Sequence, residues 1–496
     1  VNPNISPSVP GVSQALEAYK MAIASALDTT VRKDLSNSPG YTSELGLQAR
    51  SLDAPAKLLY ALTAILRRMI PRVTPKVVSQ LLEWKVITAI NTSGNWGSAA
   101  QTGVPAANRK TEKDKSARLK QISALDYTTF DAQIYGQDYQ DVRALAVLQL
   151  LQTLMVMEED IIIGGRTVAI LTPPAAPTGV VAAGGGLAAD TYRLKVSALT
   201  LQGYRQSQIA GYNPNTNTAG EALPSATSVG EVAALNDMIT YSWADVKGAV
   251  AYNMWVQQGG AGTYKYSGTV TVNRFVLTSV SQIGTPVENT VDGSQNALDF
   301  DGVLTQYVED SDLQVQYSTL NNGSLTSDGL GGVTQLTDAM QAAYLATGVG
   351  PTVFMMEPRL HRKIISLIAG ATAPAWRINL NGNDGNMEAK GGLRIASVLN
   401  PFTGEDVEIV SHRTFPKNMI IGPRMTNPYD YSNVGSAMEM AVARDYYQID
   451  YSVTAADAPG STVPGGPVWP FSVRANEVLK IYFGGGGVVL KNVSEA

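Results

Sequence analysis

Apolar residues recur at helical spacing in two stretches near the start of the chain. In 51–70, Leu58, Leu62, Ile65, Leu66 and Met69 fall on one stripe, with Ser51 placed as N-cap and Pro71 and Pro75 as stops. In 138–164, Val147, Leu150, Leu151, Leu154 and Ile161 mark a core-facing stripe, and Gly164-Gly165 ends it. Between these helices the periodicity weakens, and 77–90 and 117–130 read as the arms of one long open hairpin. The 26 residues joining the arms, 91–116, are rich in Gly, Ala, Asn and Thr and hold few large apolar side chains. So long a connection without core material is uncommon inside a compact domain, which predicts that it packs on something outside its own domain. Ahead of everything lies 1–50, opened by Pro3, Pro7 and Pro10 and carrying one helical stretch, 12–27. It has no core of its own and is expected to order only against a neighbouring subunit.

Past Pro173-Pro174-Ala-Ala-Pro177 the period changes from helical to two. Tyr192, Leu194, Val196 and Ala198 alternate with polar residues, as do Ile239, Tyr241 and Trp243, and then Tyr252, Met254 and Val256. Further strands are expected at 264–272 and 274–280. Short strands separated by Gly, Asn and Pro turns predict a wholly β sandwich over 172–289 that folds by itself. Mixed α/β patterning resumes after it: helices at 334–346 and 359–368, strands at 352–356, 393–398, 406–410 and 418–422. Closing strands are expected at 445–453, 474–483 and 488–491.

Composition narrows the functional classes. The 496 residues suggest about three domains at roughly 150 residues each. There is no cysteine, which excludes disulfides, thiol nucleophiles and thiolate metal sites. The two histidines, His361 and His412, leave little material for a catalytic relay or an imidazole metal site. The net charge of −5 argues against coating nucleic acid by bulk charge. The longest apolar region, 144–157, is broken by Gln149 and Gln152 and is too short to span a bilayer; Glu17 and Lys20 interrupt any signal-peptide core. An enzyme is disfavoured, and no cofactor is expected.

The charged clusters are therefore read as contacts. Arg109, Lys110, Lys113, Lys115, Arg118 and Lys120 against Glu112 and Asp114 leave a local balance of +4 on the hairpin. A solvated charge run is the plain reading; the functional one is a basic loop meeting an acidic surface on another chain. Glu158, Glu159 and Asp160 stand at the C-terminal end of the second helix, where they oppose its dipole. They are expected either in solvent or against a partner's cations. Asp299, Asp301, Glu309, Asp310 and Asp312 hint at a cation site but lack the closing pattern of a calcium loop. Gly484–Gly487 lacks the Lys-Ser/Thr of a phosphate loop. His361 is expected at the surface and His412 at a strand end beside Ser411, without a nucleophile elbow to support a Ser–His–Asp relay.

The order of these parts resembles the HK97-type major capsid proteins of tailed phages. Ser51-Leu-Asp53 with its amphipathic helix is similar to the approach to that family's peripheral domain, 84–130 to the E-loop, and 138–164 to the spine helix. Pro351-Thr-Val-Phe-Met-Met-Glu-Pro358 and its helix resemble the axial-domain strand–helix unit, and Ile481-Tyr-Phe-Gly…Val-Val-Leu-Lys491 the closing peripheral strands. Tyr241-Ser-Trp243 and Ala249–Val256 resemble a fibronectin-type or immunoglobulin-like module, inserted as a decoration. The resemblance implies an α+β fold divided as follows: arm 1–50, leading helix 51–82, E-loop 83–136, spine helix 137–171, inserted sandwich 172–289, axial domain 290–430 and return 431–496.

It further implies self-assembly into hexamers and pentamers of an icosahedral head around double-stranded DNA. The partners would be other copies, neighbouring capsomers, and a scaffold, portal or decoration protein; DNA would be touched only non-specifically and a membrane not at all. The location would be the virion, after assembly in the host cytoplasm. The family's charged scaffolding segment is missing, so a piece removed before Val1 or a separate scaffold protein would supply it. The competing class is a secreted or surface β-rich adhesion protein with the sandwich as its binding head.

Overall fold

The structure is a computed structural model that describes residues 64–75, 79–90, 92–95, 103–104, 106–136, 141–260, 262–329, 331–369, 395–428, 434–451 and 468–494. The expectations for 1–50, for Ser51, Leu58 and Leu62, and for part of 91–116 lie outside these residues. The protein is a mixture of helix and sheet.

The described chain opens with Ile65–Met69 (α1), ended before Pro71, and Arg72–Val73 (β1). Leu81–Ile90 (β2) and Lys110–Arg118 (β3) pair antiparallel, Leu81 facing Arg118 and Ile90 facing Lys110. Lys120–Thr129 (β4) follows at once, then Phe130–Gly136 (α2) and Val142–Gly164 (α3). This corrects the hairpin. Its second arm is β3, inside the stretch read as connection, whereas β4 leaves the ribbon and joins another sheet. The strand Lys-Thr-Glu-Lys-Asp-Lys carries no apolar alternation for periodicity to detect, because both its faces meet solvent over most of its length. α3 is capped as expected at its far end by Gly165, and Asp141 accepts the Ala144 N–H at 3.0 Å at its start.

Next come Thr178–Ala183 (β5), Asp190–Leu199 (β6), the helix Leu201–Ser207 (α4), Glu231–Ala233 (β7), Asp237–Ser242 (β8), Ala251–Gln258 (β9), Lys265–Val270 (β10) and Arg274–Leu277 (β11). They form sheets in the orders β10-β9-β6-β7 and β11-β8-β5. Tyr192, Leu194, Val196, Ile239, Tyr241, Trp243 and Val256 are all buried in one cluster between these strands. α4 corrects the expectation of a wholly β stretch. It packs closely because Gly203 has no Cβ; one there would lie 2.7 Å from the Gly220 carbonyl.

The remainder runs Val303–Glu309 (α5), Gln316–Ser324 (β12), Thr334–Thr347 (α6), Val353–Met356 (β13), Pro358–Ala369 (α7), Ser397–Leu399 (β14), Asp406–Ser411 (β15), Met419–Gly422 (β16), Met438–Asp450 (β17), Val468–Ile481 (β18) and Val488–Ser494 (β19). Six strands make a mixed sheet, β12-β19-β16-β13-β15-β14, packed with α6 and α7 around Met340, Phe354, Ile364 and Leu490. Four make the sheet β1-β17-β18-β4, which packs with α3 around Leu154, Ile162, Met440, Phe471 and Leu479. Gly484–Gly487 is the turn between β18 and β19, closed by the Gly487 N–H donating to Gly484 at 2.8 Å.

Candidate assembly surfaces

β2 and β3 form a sheet of their own. Ile87 and Ile90 on the ribbon are 54% and 79% exposed. Its lysines hold its base. Lys113 Nζ donates to Asp312 Oδ1 at 2.6 Å, and Lys115 Nζ reaches Asp310 Oδ1 at 2.6 Å and Asp312 Oδ2 at 2.7 Å. The two aspartates flank a single 3-10 turn, Ser311–Leu313, after α5. Burial pulls the Lys115 ammonium down, but hydrogen bonds to Asp310 and Asp312 outweigh it and hold its pKa above the ordinary lysine value. The Lys113 and Lys115 bonds hold Asp312 below the usual carboxylate range. Arg118 donates to Gln80, Lys120 to the Ala297 carbonyl, and Lys110 pairs with Glu112. Arg109, at the outer end of β3, is exposed.

The acids of α3 are not in solvent. Glu158 and Glu159 have no exposed surface. Glu159 accepts the Leu66 and Arg67 N–H groups, both at 2.7 Å, and so caps α1, whose own N-cap, Ala64, has no side chain for the task. Its Oε1 also lies 3.0 Å from His412 Nε2, and the His412 ring is fully buried. Glu158 bonds Arg72, Arg67 (2.8 Å) and the Tyr446 hydroxyl. Arg72 continues to Glu477 Oε2 at 2.8 Å and Asp445 Oδ1 at 3.0 Å. Burial, then the nearby Glu158, push Glu477 up to about 8. Asp160 binds Arg205 of α4 at 2.6 Å, and burial raises its pKa. The expectation of solvated acids is thereby corrected: helix periodicity cannot show that Arg67, Arg72 and His412 fold back onto α3.

The carboxylates weighed as a cation site are likewise engaged. Asp301 accepts the Thr167 and Val168 N–H groups, Glu309 pairs with Arg166, and Asp310 and Asp312 take the lysines. Among the described residues no cluster of three His, Asp or Glu side chains has metal-holding geometry. A cleft of about 440 Å³ at the foot of the ribbon is walled by Trp84, Phe300 and Leu479 together with Asp301, Glu309 and Asp310. His361 is half-buried on α7 rather than at the surface.

One buried constellation escaped sequence reasoning. Lys491 of β19 is 1% exposed and lies 2.6 Å from Asp245 Oδ1, in the segment between β8 and β9. Its signal was a lysine within the apolar run Val488-Val-Leu-Lys-Asn-Val493.

No protein-family model and no curated protein sequence matches the chain. Solved structures similar to it include three protein shells. The capsid of the native GTA particle has TM-score 0.40 at 10% identity, covering 91% of this chain and 98% of that one. The capsid of the cyanophage P-SCSP1u has TM-score 0.39 at 8% identity, covering 93% and 98%. The SrpI encapsulin complex from Synechococcus elongatus has TM-score 0.37 at 9% identity, covering 91% and 98%. TM-scores this low leave these as likenesses.

Proposed function

We propose that the chain is an HK97-type major capsid protein, which self-assembles into the hexamers and pentamers of an icosahedral phage head. The observation that carries this reading is the β2–β3 ribbon. A lone two-stranded ribbon is marginal in water, and this one, among the described residues, pairs only with itself while exposing Ile87 and Ile90. A surface supplied by the next copy would cover it, and repetition under closed symmetry turns modest contacts into a stable particle. The sequential order of ribbon, long helix, mixed α/β sheet and returning strands supports the same reading. Arg109, Lys110 and Arg118 are the ribbon cations we assign to a neighbour's acids. The strands of 172–289 would face outward as decoration, the packaged double-stranded DNA would be touched only non-specifically, and a scaffold and portal would assist assembly. The role is structural rather than enzymatic.

Electron microscopy of the purified full-length protein tests this. Closed shells, or hexamers and pentamers, are expected; a monodisperse monomer across concentration and ionic strength overturns it. The variant Ile87→Asp/Ile90→Asp should lose assembly while its subunit keeps the wild-type circular dichroism.

A further inference from the structure

Three places fasten the β-sandwich to the rest of the protein. At the first, Lys491 donates to Asp245, to the Val246 carbonyl at 2.9 Å and to the Tyr252 hydroxyl at 3.0 Å, while Tyr317 of β12 donates to the other Asp245 oxygen. Burial draws Lys491 down to about 8, and its ammonium in turn holds Asp245 below the ordinary carboxylate value against the pull of burial. At the second, Thr271 bonds Asn418, and Asn273 donates to Asn321 at 3.0 Å. At the third, Arg205 of α4 reaches Asp160 of α3 and the Thr414 carbonyl.

The backbone bends to make these contacts. Asn321, Asn418 and Asn492 have φ of 48°, 59° and 55°, a left-handed conformation that asparagine tolerates better than most residues. Each presents its side chain to the sandwich: Asn321 to Asn273, Asn418 to Thr271, and Asn492 to Asp245 at 2.9 Å. Apolar packing follows the same line. Leu199, Leu201, Tyr204, Val250 and Ala251, at the root of the sandwich, belong to the core that holds α3 and β18. The described residues from 141 onward fall within one compact unit. A separable module meets its host through a polar, mobile joint; here the Lys491 and Asp245 side chains are only 1% and 6% exposed, and apolar residues of both parts share one core.

We propose that the sandwich is a clamped part of the molecule and not a detachable decoration. It folds together with the six-stranded sheet, and the Lys491–Asp245 pair with the three left-handed asparagines sets its angle. This holds whether or not the chain builds a capsid, and it is tested on the soluble full-length subunit.

Hydrogen exchange is expected to show β6 and β19 amides opening together in the wild type. Asp245→Asn and Lys491→Met should each lower Tm, because each strands a buried partner, and the double variant should recover most of that loss. Asn321→Gly/Asn418→Gly/Asn492→Gly keeps the positive φ but removes the side chains; β6 should then exchange faster than β19. The proposal is overturned if β6 opens separately from β19 in the wild type, or if the double variant is no more stable than the worse single one. It is equally overturned if a chain with 174–286 replaced by a short Gly/Ser linker stays soluble with β19 protected as before.

Discussion

Glu221 has no exposed surface, and its Oε1 accepts from Ser197 and from Asn253 at 3.0 Å. Burial raises its pKa to about 7 despite those bonds. The folded state therefore binds this proton between the ordinary Glu value and about 7, where the unfolded chain has released it. Stability from Glu221 is fully present below about pH 4.5 and is lost as pH rises through 7, by on the order of 3 kcal/mol at most. Glu221→Gln should match the wild type in urea midpoint near pH 5 and exceed it at pH 8; parallel pH profiles would refute this. Arg72 presents a second case, since it touches both Glu158 and Glu477. Arg72→Met leaves two buried carboxyl groups without their shared cation, a loss of roughly 3–5 kcal/mol by analogy with other broken buried pairs. Denaturant unfolding of this variant should show it; a change under 1 kcal/mol would mean the pocket relaxes to admit water.

Among elements, the ribbon and α3 mark the two ends of legibility. The stripe of α3 holds because Leu150 and Leu154 face the core, as their spacing requires. The ribbon's partner strand was invisible because charge, not apolar alternation, fills it. Its lysines were expected on another subunit, yet Lys113 and Lys115 close onto Asp310 and Asp312 of their own chain. Half-exposed pairs of this kind contribute about 0–1 kcal/mol each. Lys115→Asp should loosen the base of the ribbon, seen as faster exchange of β3 amides. The swap Lys115→Asp/Asp310→Lys should restore part of the protection. High salt should reproduce the loosening in the wild type. Unaltered β3 exchange in Lys115→Asp would show that packing of Trp84 against Tyr482, not charge, holds the ribbon.

For the whole molecule, the consequential change concerns 172–289. Its alternating strands suggested an inserted domain that folds by itself, whose replacement by a linker would leave the rest soluble. The Lys491–Asp245 pair makes the opposite outcome the expected one: the linker replacement should give insoluble chains, read by the yield of soluble protein and by microscopy.

Period and composition by themselves determined the mixture of helix and sheet, the buried face of β6, the extent of α3, and the lack of cysteine chemistry. These follow from local rules, since side chains three, four or two residues apart share a face whatever lies opposite. Only the tertiary structure decided what the charges do. Glu159 caps a helix 93 residues away in sequence, and Lys491 meets Asp245 across 246 positions. A charge is as often solvated as buried until its partner is known, and no periodicity encodes a partner brought in by the path of the chain.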